Sequence, residues 1–311
     1  MIISASRRTD LPAFYSEWFC RRLQEGFVLV RNPMNPHQVS RVSLSTAVVD
    51  CFVFWTKNPR PMLNKLPLLS GYDYYFQFTL NPYDDEIEVN LPPKAELIET
   101  FVELSNKIGQ QRVVWRYDPI FLTARITVDD HLLYFHKLAS KLSAHTEKCI
   151  ISFLDMYKKT ARNLNGIPKV ACLTEEQMFN LAKGFAEIAG KFGLTIETCA
   201  EEVDLDALGI EHGKCIDDRL IREITGAELT VKKDKFQRKE CGCVASIDIG
   251  AYNTCAHQCL YCYANPSRRQ VSANRRRHKP ASPLLYGNLT AEDLITEKNM
   301  VSCKVAQGKL F

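Results

Sequence analysis

CFVFWTKNPRPMLNKLPLLSGYDYYFQFTL, residues 51–80, contains two short apolar runs, CFVFWT (51–56) and YYFQFTL (74–80), each followed by polar residues. Both runs are almost continuously apolar instead of alternating between apolar and polar residues. Strands with this pattern are expected in parallel sheets that are covered by helices. The stretch therefore predicts βα units and, with them, a layered α/β fold.

The same pattern recurs along the whole chain. Further apolar runs predict strands at IISAS (2–6), RVVWRY (112–117), CIISFL (149–154), LTIETC (194–199), VASIDI (244–249) and, as an eighth, FVLVRN (27–32). Amphipathic segments predict helices at 12–25, 93–108, 128–143 and 174–192. We therefore expect a (β/α) TIM-type barrel, complete or partial. Residues 1–231 form its body, and a cysteine-rich metal-binding extension at 232–311 completes it within one integrated domain.

Composition excludes a disordered or fibrous protein, because 46% of the 311 residues are hydrophobic and 24% are charged. No uninterrupted apolar run approaches the roughly 18 residues that cross a bilayer, so we expect a cytoplasmic protein with no membrane association. The chain has 12 cysteines. Without an export signal, so many cysteines indicate metal binding or thiol chemistry instead of disulfides.

Charge is distributed unevenly between the two parts of the chain. Residues 232–311 carry a net charge of +8, and the first 231 residues carry −4. A basic region serves phosphate, nucleic acid or an anionic cofactor. We interpret its densest run, RRQVSANRRRHK (268–279), as a solvated loop.

Polar residues follow most of the predicted strands. In a (β/α) barrel, residues at the carboxyl ends of the strands face the mouth of the active site. The predicted strand ends therefore indicate a site for a polar ligand. Its candidate residues are Arg7, Arg8, Thr9, Asp10, Lys57, Asn58, Thr79, Asn81, Arg116, Asp118, Asp155 and Glu197.

The sharpest motif is CAHQCLYC (255–262), a C-x3-C-x2-C array placed just after the predicted strand VASIDI. Thiolates bind iron–sulfur clusters and zinc alike, so the ligand type alone leaves both open. Three local cysteines leave one iron of a four-iron cluster free, whereas structural zinc needs a fourth ligand. His257 is poorly placed to be that ligand, because it lies inside the loop between the first two cysteines.

The array, with Tyr261 directly before Cys262, resembles the cluster motif of the radical S-adenosylmethionine (SAM) enzymes. More closely, four stretches resemble a full-length bacterial family of unassigned function, DUF1848. They are SASRRTDLPAFY (4–15), KDKFQRKECGC (233–243), SIDIGAYNTCAHQCLYCYAN (246–265) and HKPASPLLYG (278–287). In most radical SAM enzymes the triplet follows the first strand. Its late position here implies a circular permutation, in which VASIDI takes the place of that first strand.

The radical SAM resemblance implies that Cys255, Cys259 and Cys262 ligate a [4Fe–4S] cluster whose fourth iron binds SAM. It implies reductive cleavage of SAM to a 5′-deoxyadenosyl radical, driven by a reductant such as flavodoxin or ferredoxin. Tyr261 is expected near the adenine. Arg7 and Arg8 are expected either to hold the SAM carboxylate or to form salt bridges at the rim of the core.

Nine cysteines lie outside the triplet. Four of them are predicted to form a second metal centre, either an auxiliary [4Fe–4S] cluster, which we favour, or a structural zinc. These are Cys199, Cys215, Cys241 and Cys243. The remaining five are interpreted as packing residues: Cys20, Cys51, Cys149, Cys172 and Cys303. The histidines outside the motif, such as His131, are expected in surface or capping positions.

The sequence thus predicts a radical SAM-type enzyme of unknown substrate. A small polar metabolite and a nucleic acid both remain open as substrates. The alternative is a non-radical iron–sulfur or zinc protein that serves electron transfer, redox sensing or nucleic-acid binding. An open coordination site on the cluster distinguishes the two functions, since SAM has nowhere to bind if every iron is ligated by cysteine.

Overall fold

An eight-stranded parallel sheet is the centre of the fold in the computed structural model, which describes residues 1–305. The strands are Ile2–Ser4 (β1), Phe27–Arg31 (β2), Gln38–Ser43 (β3), Cys51–Thr56 (β4), Tyr74–Thr79 (β5), Val113–Ile120 (β6), Lys148–Phe153 (β7), Thr195–Thr198 (β8), Glu211–His212 (β9), Ile247–Asp248 (β10) and Leu294–Glu297 (β11). The order in the main sheet is β10-β1-β4-β5-β6-β7-β8-β9. A smaller sheet has the order β11-β3-β2.

Helices lie between the strands, and the predicted amphipathic segments at 12–25, 93–108, 128–143 and 174–192 all fall on helices, whereas the helices at 60–63, 158–164 and 218–225 were not predicted. The helices are Leu11–Phe14 (α1), Ser16–Glu25 (α2), Arg60–Leu63 (α3), Lys94–Ile108 (α4), Val128–Leu142 (α5), Lys158–Leu164 (α6), Glu175–Phe192 (α7), Asp218–Thr225 (α8) and Arg268–Arg276 (α9). Capping boxes at Thr127 and Thr174 fix the starts of α5 and α7. Among residues 1–305, no helix is both long and apolar enough to cross a membrane.

The late strand β10 lies beside the first strand of the chain. It pairs with β1 in parallel, with Ile3 opposite Ile247 and Ser4 opposite Asp248. The strand that precedes the cysteine triplet therefore stands at one edge of the main sheet, next to β1. Within residues 1–305, β9 and β10 do not pair with each other, so hydrogen bonds do not close the sheet into a complete barrel.

Both faces of the main sheet are buried, which explains its continuously apolar strands. One face packs against helices through an aromatic core in which Phe54 and Phe76 stack with ring centroids 4.7 Å apart. The opposite face presents Val53, Val114 and their neighbours. The chain between β9 and β10 covers this second face, with apolar side chains such as Ile216. This connecting segment therefore covers the second face of the main sheet.

Three sequence expectations need correction. FVLVRN forms β2, but β2 pairs antiparallel with β3 in the smaller sheet. The run at 268–279 is not a solvated loop, because it forms helix α9, whose N-cap Ser267 accepts a hydrogen bond from the Gln270 N–H and whose Val271 is buried. Cys172 is exposed and is therefore not a packing residue, whereas Cys20, Cys51 and Cys149 are buried as expected.

His131 is also wrongly predicted, since it is fully buried instead of lying at the surface. Its Nε2 lies 3.0 Å from the carbonyl oxygen of Phe121, and its Nδ1 lies 2.9 Å from the Tyr117 hydroxyl. Burial lowers the pKa of His131 to about 4. The neutral ring is thus a satisfied core group on the inner side of α5.

Candidate metal centres

A single cavity of about 1050 Å³ lies at the carboxyl ends of the main-sheet strands and contains all seven cysteines of the two predicted centres. Most of the predicted polar residues line it as well: Arg7, Arg8, Thr9, Asp10, Lys57, Thr79, Arg116, Asp118, Asp155 and Tyr261. The residues named from the strand ends therefore share one cavity.

The triplet loop is held in place by the side-chain amides of Asn265, three residues after Cys262, and of Asn90, which is distant in the sequence. The Asn265 Oδ1 accepts hydrogen bonds of 2.9 Å from both the Thr254 and the Cys255 N–H groups. The Asn90 Nδ2 donates to the carbonyl oxygen of Ala256 at 2.8 Å. These contacts order the backbone of the loop in the metal-free chain, so less conformational entropy is lost when a metal binds.

In the triplet, Cys259 is buried, and Cys255 and Cys262 are half-buried. Gln258, with φ of 56°, adopts the left-handed conformation and turns the backbone between the first two cysteines. Burial raises the pKa of Cys255 well above its ordinary value, and the neighbouring Asp10 and the other two cysteines raise it further. Burial likewise raises the pKa of Cys259, to about 12. The Cys255 and Cys259 thiols are thus protonated in the metal-free chain, and binding a cation favours their thiolate forms.

Asp10 anchors the triplet loop and has no acceptor capacity left for a substrate. Its carboxylate accepts hydrogen bonds from the Thr56 hydroxyl at 2.8 Å and the Lys57 N–H at 2.8 Å. It also accepts one from the Ala13 N–H at 2.9 Å, and its Oδ2 lies 2.9 Å from the His257 Nε2. The His257 Nε2 is therefore turned toward Asp10, and its Nδ1 is buried with no hydrogen-bond partner among the described residues.

Glu88 is a buried carboxylate at this site that sequence reasoning missed. Its side chain forms ion pairs with Lys57, at 2.7 Å, and with Lys94. It also accepts a hydrogen bond from the Tyr261 hydroxyl. Although burial opposes ionisation, the two lysines lower the pKa of Glu88 to about 2. No sequence motif marks Glu88, because it lies in an irregular loop after β5.

Tyr261 forms the wall between the triplet and this ion-pair network. Its ring centroid lies 5.9 Å from those of Tyr83 and Phe121. The Lys57 Nζ lies 5.4 Å from the same ring, within reach of a cation–π interaction. The residue directly before Cys262 is thus rigidly packed, with one edge facing the cavity.

The second cysteine set, defined as Cys199, Cys215, Cys241 and Cys243, comes together from three loops. The Cys199 and Cys215 sulfurs lie 2.9 Å apart. The Cys243 thiol is within hydrogen-bonding reach of both Cys215 and Cys241, and these contacts lower its pKa. The Cys243 sulfur also accepts a hydrogen bond of 3.3 Å from the Ile216 N–H. The sequence prediction that these four residues converge agrees with the structure.

Two buried guanidinium groups flank the second cysteine set. The Arg116 Nη1 donates to the Cys215 sulfur at 2.8 Å, and its Nε donates to Asp118 at 2.9 Å. Arg7 lies over the Trp55 ring at 5.3 Å, and its Nη1 is 3.9 Å from Asp234. Arg7 was predicted either to hold the SAM carboxylate or to form a salt bridge at the rim of the core. The structure shows the ion pair with Asp234 and puts the guanidinium within electrostatic reach of the second set. This placement depends on the connecting segment, which sequence patterns do not position.

Arg8 stays on the cavity wall near the triplet loop. Its guanidinium lies 5.2 Å from the centroid of the Tyr252 ring, and its Nε lies 3.8 Å from Asp248. Asp248 in turn accepts hydrogen bonds from the Ser4 and Ser6 hydroxyls at 2.8 and 2.6 Å. Arg8 is therefore the better placed of the two arginines for an anionic ligand beside the triplet.

Three predicted pocket residues do not line the cavity. The Asn58 Oδ1 accepts a hydrogen bond from the Arg60 N–H at the start of α3, and the Asn81 Oδ1 accepts one from the Asp118 N–H. Glu197 and Cys199 are two residues apart and therefore lie on the same face of the strand. Glu197 is the further of the two from the carboxyl end of β8, so it lies below the cavity. It lines a second cavity, of about 290 Å³, and is 2.8 Å from Lys148.

Neither cysteine group is preformed as a metal cage. In the part of the chain that the structure describes, no group of three or more His, Cys, Asp or Glu side chains is already arranged to hold a metal ion. The donor chemistry nevertheless fits, because soft sulfur ligands converge beside positively charged groups. Metal uptake would then need only local rearrangement of side chains that already share one cavity.

Comparison with known proteins adds a family but no activity. A family model described as "Domain of unknown function (DUF1848)" matches residues 2–264. No curated protein matches the chain. A crystal structure described as "a putative alpha-L-fucosidase", from Bacteroides thetaiotaomicron VPI-5482, is 12% identical, with a TM-score of 0.27, and the match covers 73% of this chain and 81% of that chain. With so low a TM-score, this likeness supports no conclusion about fold or function.

Proposed function

The chain belongs to the DUF1848 family, a family without an assigned activity, and from the cavity described above we propose that it is a radical SAM-type iron–sulfur enzyme. The observation that carries the proposal is the shared cavity. The C-x3-C-x2-C triplet opens into the same space, of about 1050 Å³, as the charged residues at the strand ends. A cluster held there would face a chamber large enough for both a cofactor and a substrate.

Cys255, Cys259 and Cys262 would hold the cluster, and three protein ligands would leave its fourth iron available for SAM. When bound, the reduced cluster with SAM supplies the 5′-deoxyadenosyl radical that abstracts hydrogen from a substrate. A reductant such as flavodoxin or ferredoxin would deliver the electron. The late strand β10 supports the proposal, because it stands next to β1 as a permuted radical SAM barrel requires.

Other residues of the chain would bind and orient the ligands. Arg8, on the wall beside the triplet loop, would attract the carboxylate of SAM, and the packed ring of Tyr261 would contact its adenine. Deeper in the cavity, Arg116, Asp118 and Ser152 form a hydrogen-bonded wall that suits a polar substrate. Both a small metabolite and a nucleotide segment meet that description.

The proposal is tested by product analysis after anaerobic reconstitution with iron and sulfide. With dithionite and SAM, the reconstituted protein is expected to release 5′-deoxyadenosine and methionine, measured by chromatography and mass spectrometry. Cys172→Ala is the matched control, because Cys172 is exposed and does not line the cavity. A fully reconstituted protein that releases no 5′-deoxyadenosine would instead support a non-radical role, such as electron transfer or redox sensing.

A further inference from the structure

We propose that the second cysteine set binds a single zinc ion and not a second iron–sulfur cluster. The four thiols converge at one place. The Cys199 and Cys215 sulfurs lie 2.9 Å apart, the Cys243 sulfur accepts a hydrogen bond of 3.3 Å from the N–H of Ile216, the residue next to Cys215, and Cys241 lines the same cavity. Side chains of this kind, gathered from three loops into one buried group, are typical of a closed tetrathiolate site. The inference is independent of the radical SAM proposal, because it concerns other residues.

The sulfur–sulfur contacts decide between the two metal centres. A [4Fe–4S] cluster places irons and sulfides between its ligands, so the cysteine sulfurs lie around the outside of the cluster and cannot touch. A zinc ion with bonds of about 2.3 Å in tetrahedral geometry separates its sulfurs by about 3.8 Å. The Cys199 and Cys215 sulfurs, 2.9 Å apart, would need to separate by less than about 1 Å to reach the zinc geometry. A cluster would require a much larger displacement of three loops.

The triplet provides an internal comparison within the same cavity. Among the described residues, the hydrogen bonds of its thiols involve no other thiol; the Cys262 sulfur, for example, accepts from the Asn265 side chain at 3.5 Å. Both cysteine groups line the same cavity, so the difference between them is the sulfur–sulfur contact of Cys199 with Cys215. That contact leaves no space for a cluster between the two sulfurs, whereas the triplet has no such contact among the described residues.

Charge supports a tetrathiolate at the second set. Four thiolates around a divalent zinc carry a formal excess of two negative charges, and such a buried excess needs compensation. Arg116 donates directly to the Cys215 sulfur. The Arg7 Nη2 is buried and has no hydrogen-bond partner within residues 1–305. A deprotonated sulfur nearby would give this nitrogen an acceptor.

The zinc would connect the ends of the segment that covers the second face of the main sheet. Cys199 follows β8, Cys215 follows β9, and the last two ligands, Cys241 and Cys243, precede β10. One ion would thus tie together both edges of a sheet that hydrogen bonds leave open among the described residues. This role is structural, and it stabilises the wall against which the proposed SAM site is built.

Metal analysis of two variants tests the proposal. We expect about one zinc per chain in aerobically purified wild-type protein and in Cys259→Ala, and none in Cys215→Ser. The proposal would be overturned if Cys259→Ala retained iron and acid-labile sulfide in place of zinc. It would also be overturned by zinc that is lost in Cys259→Ala and kept in Cys215→Ser, or by a metal-free Cys199–Cys215 disulfide.

A second measurement on the unmodified protein covers the case in which Cys215→Ser fails to fold. X-ray absorption at the zinc edge of wild-type protein is expected to show four sulfur ligands at about 2.3 Å. Nitrogen or oxygen ligands, or no bound zinc, would contradict the assignment. Neither result depends on release of 5′-deoxyadenosine, so failure of the zinc assignment and failure of the proposed enzymatic function are distinguishable.

Discussion

Cys259→Ala is expected to reduce cluster assembly at the triplet, and with it 5′-deoxyadenosine production, to the background of protein-free controls. Cys259 is the middle ligand of the array and is 7% exposed, so no external thiol can easily replace it. Without Cys259, only Cys255 and Cys262 remain in the array, and two cysteines cannot ligate three irons of a four-iron cluster. The variant is therefore expected to lose the whole cluster and not only one ligand contact.

This result is measured as iron, acid-labile sulfide and 5′-deoxyadenosine per chain after identical reconstitution. Cys172→Ala is the control, since it removes a cysteine that lies on the surface and away from the cavity. It should match the wild-type protein in all three quantities. Undiminished 5′-deoxyadenosine production by Cys259→Ala would rule out the triplet as the catalytic centre.

Glu88→Gln is expected to lower the free energy of unfolding at neutral pH by about 3 kcal/mol. The substitution leaves the buried Lys57 ammonium without its counter-charge, which is the costly way to break a buried ion pair. We take the lower end of the usual range because the Lys94 side chain is 32% exposed and keeps its hydration. Glu86→Gln is the matched control, since its surface ion pair with Arg125 contributes at most about 1 kcal/mol.

The effect of Glu88 on stability also depends on pH. Its pKa is lowered from 4.5 in the unfolded chain to about 2 in the fold, so the unfolded state binds more protons between these values. The stabilisation is therefore complete above pH 4.5 and is lost as the pH falls toward 2. Urea denaturation at neutral pH and at about pH 3 should show the difference between wild type and Glu88→Gln shrinking in acid. If Glu88→Gln lowered the free energy of unfolding equally at both pH values, the lowered pKa assigned to Glu88 would be contradicted.

The sequence was sufficient to predict the main sheet because its strands are buried on both faces. CFVFWT matches β4 residue for residue, and the other predicted runs overlap β1, β5, β6, β7, β8 and β10. Shorter strands escaped prediction: β9 has only two residues, and β11 is exposed along its length. Their pairing depends on tertiary contacts and not on a local apolar pattern.

The candidate site was predictable where chemistry depends on residue type and spacing, and not where it depends on tertiary placement. The seven cysteines and most strand-end residues were identified in advance, because sulfur ligands and strand ends have recognisable patterns. Glu88 was missed, since a lone glutamate in a loop resembles any solvated carboxylate. Glu197 was assigned to the wrong cavity, because its depth within the strand cannot be seen in the sequence. An ion pair was one of the two roles expected of Arg7, but its partner Asp234 could not be named, because the packing of the connecting segment has no sequence pattern.

The most direct test of the radical SAM proposal is electron paramagnetic resonance of the reduced, anaerobically reconstituted protein with and without SAM. We expect a [4Fe–4S]⁺ signal whose shape changes when SAM is added, because an iron with no protein ligand takes the amino and carboxylate groups of SAM. The same change should be present in Cys172→Ala. A cluster signal that is identical with and without saturating SAM, or a triplet filled by zinc, would contradict the proposal.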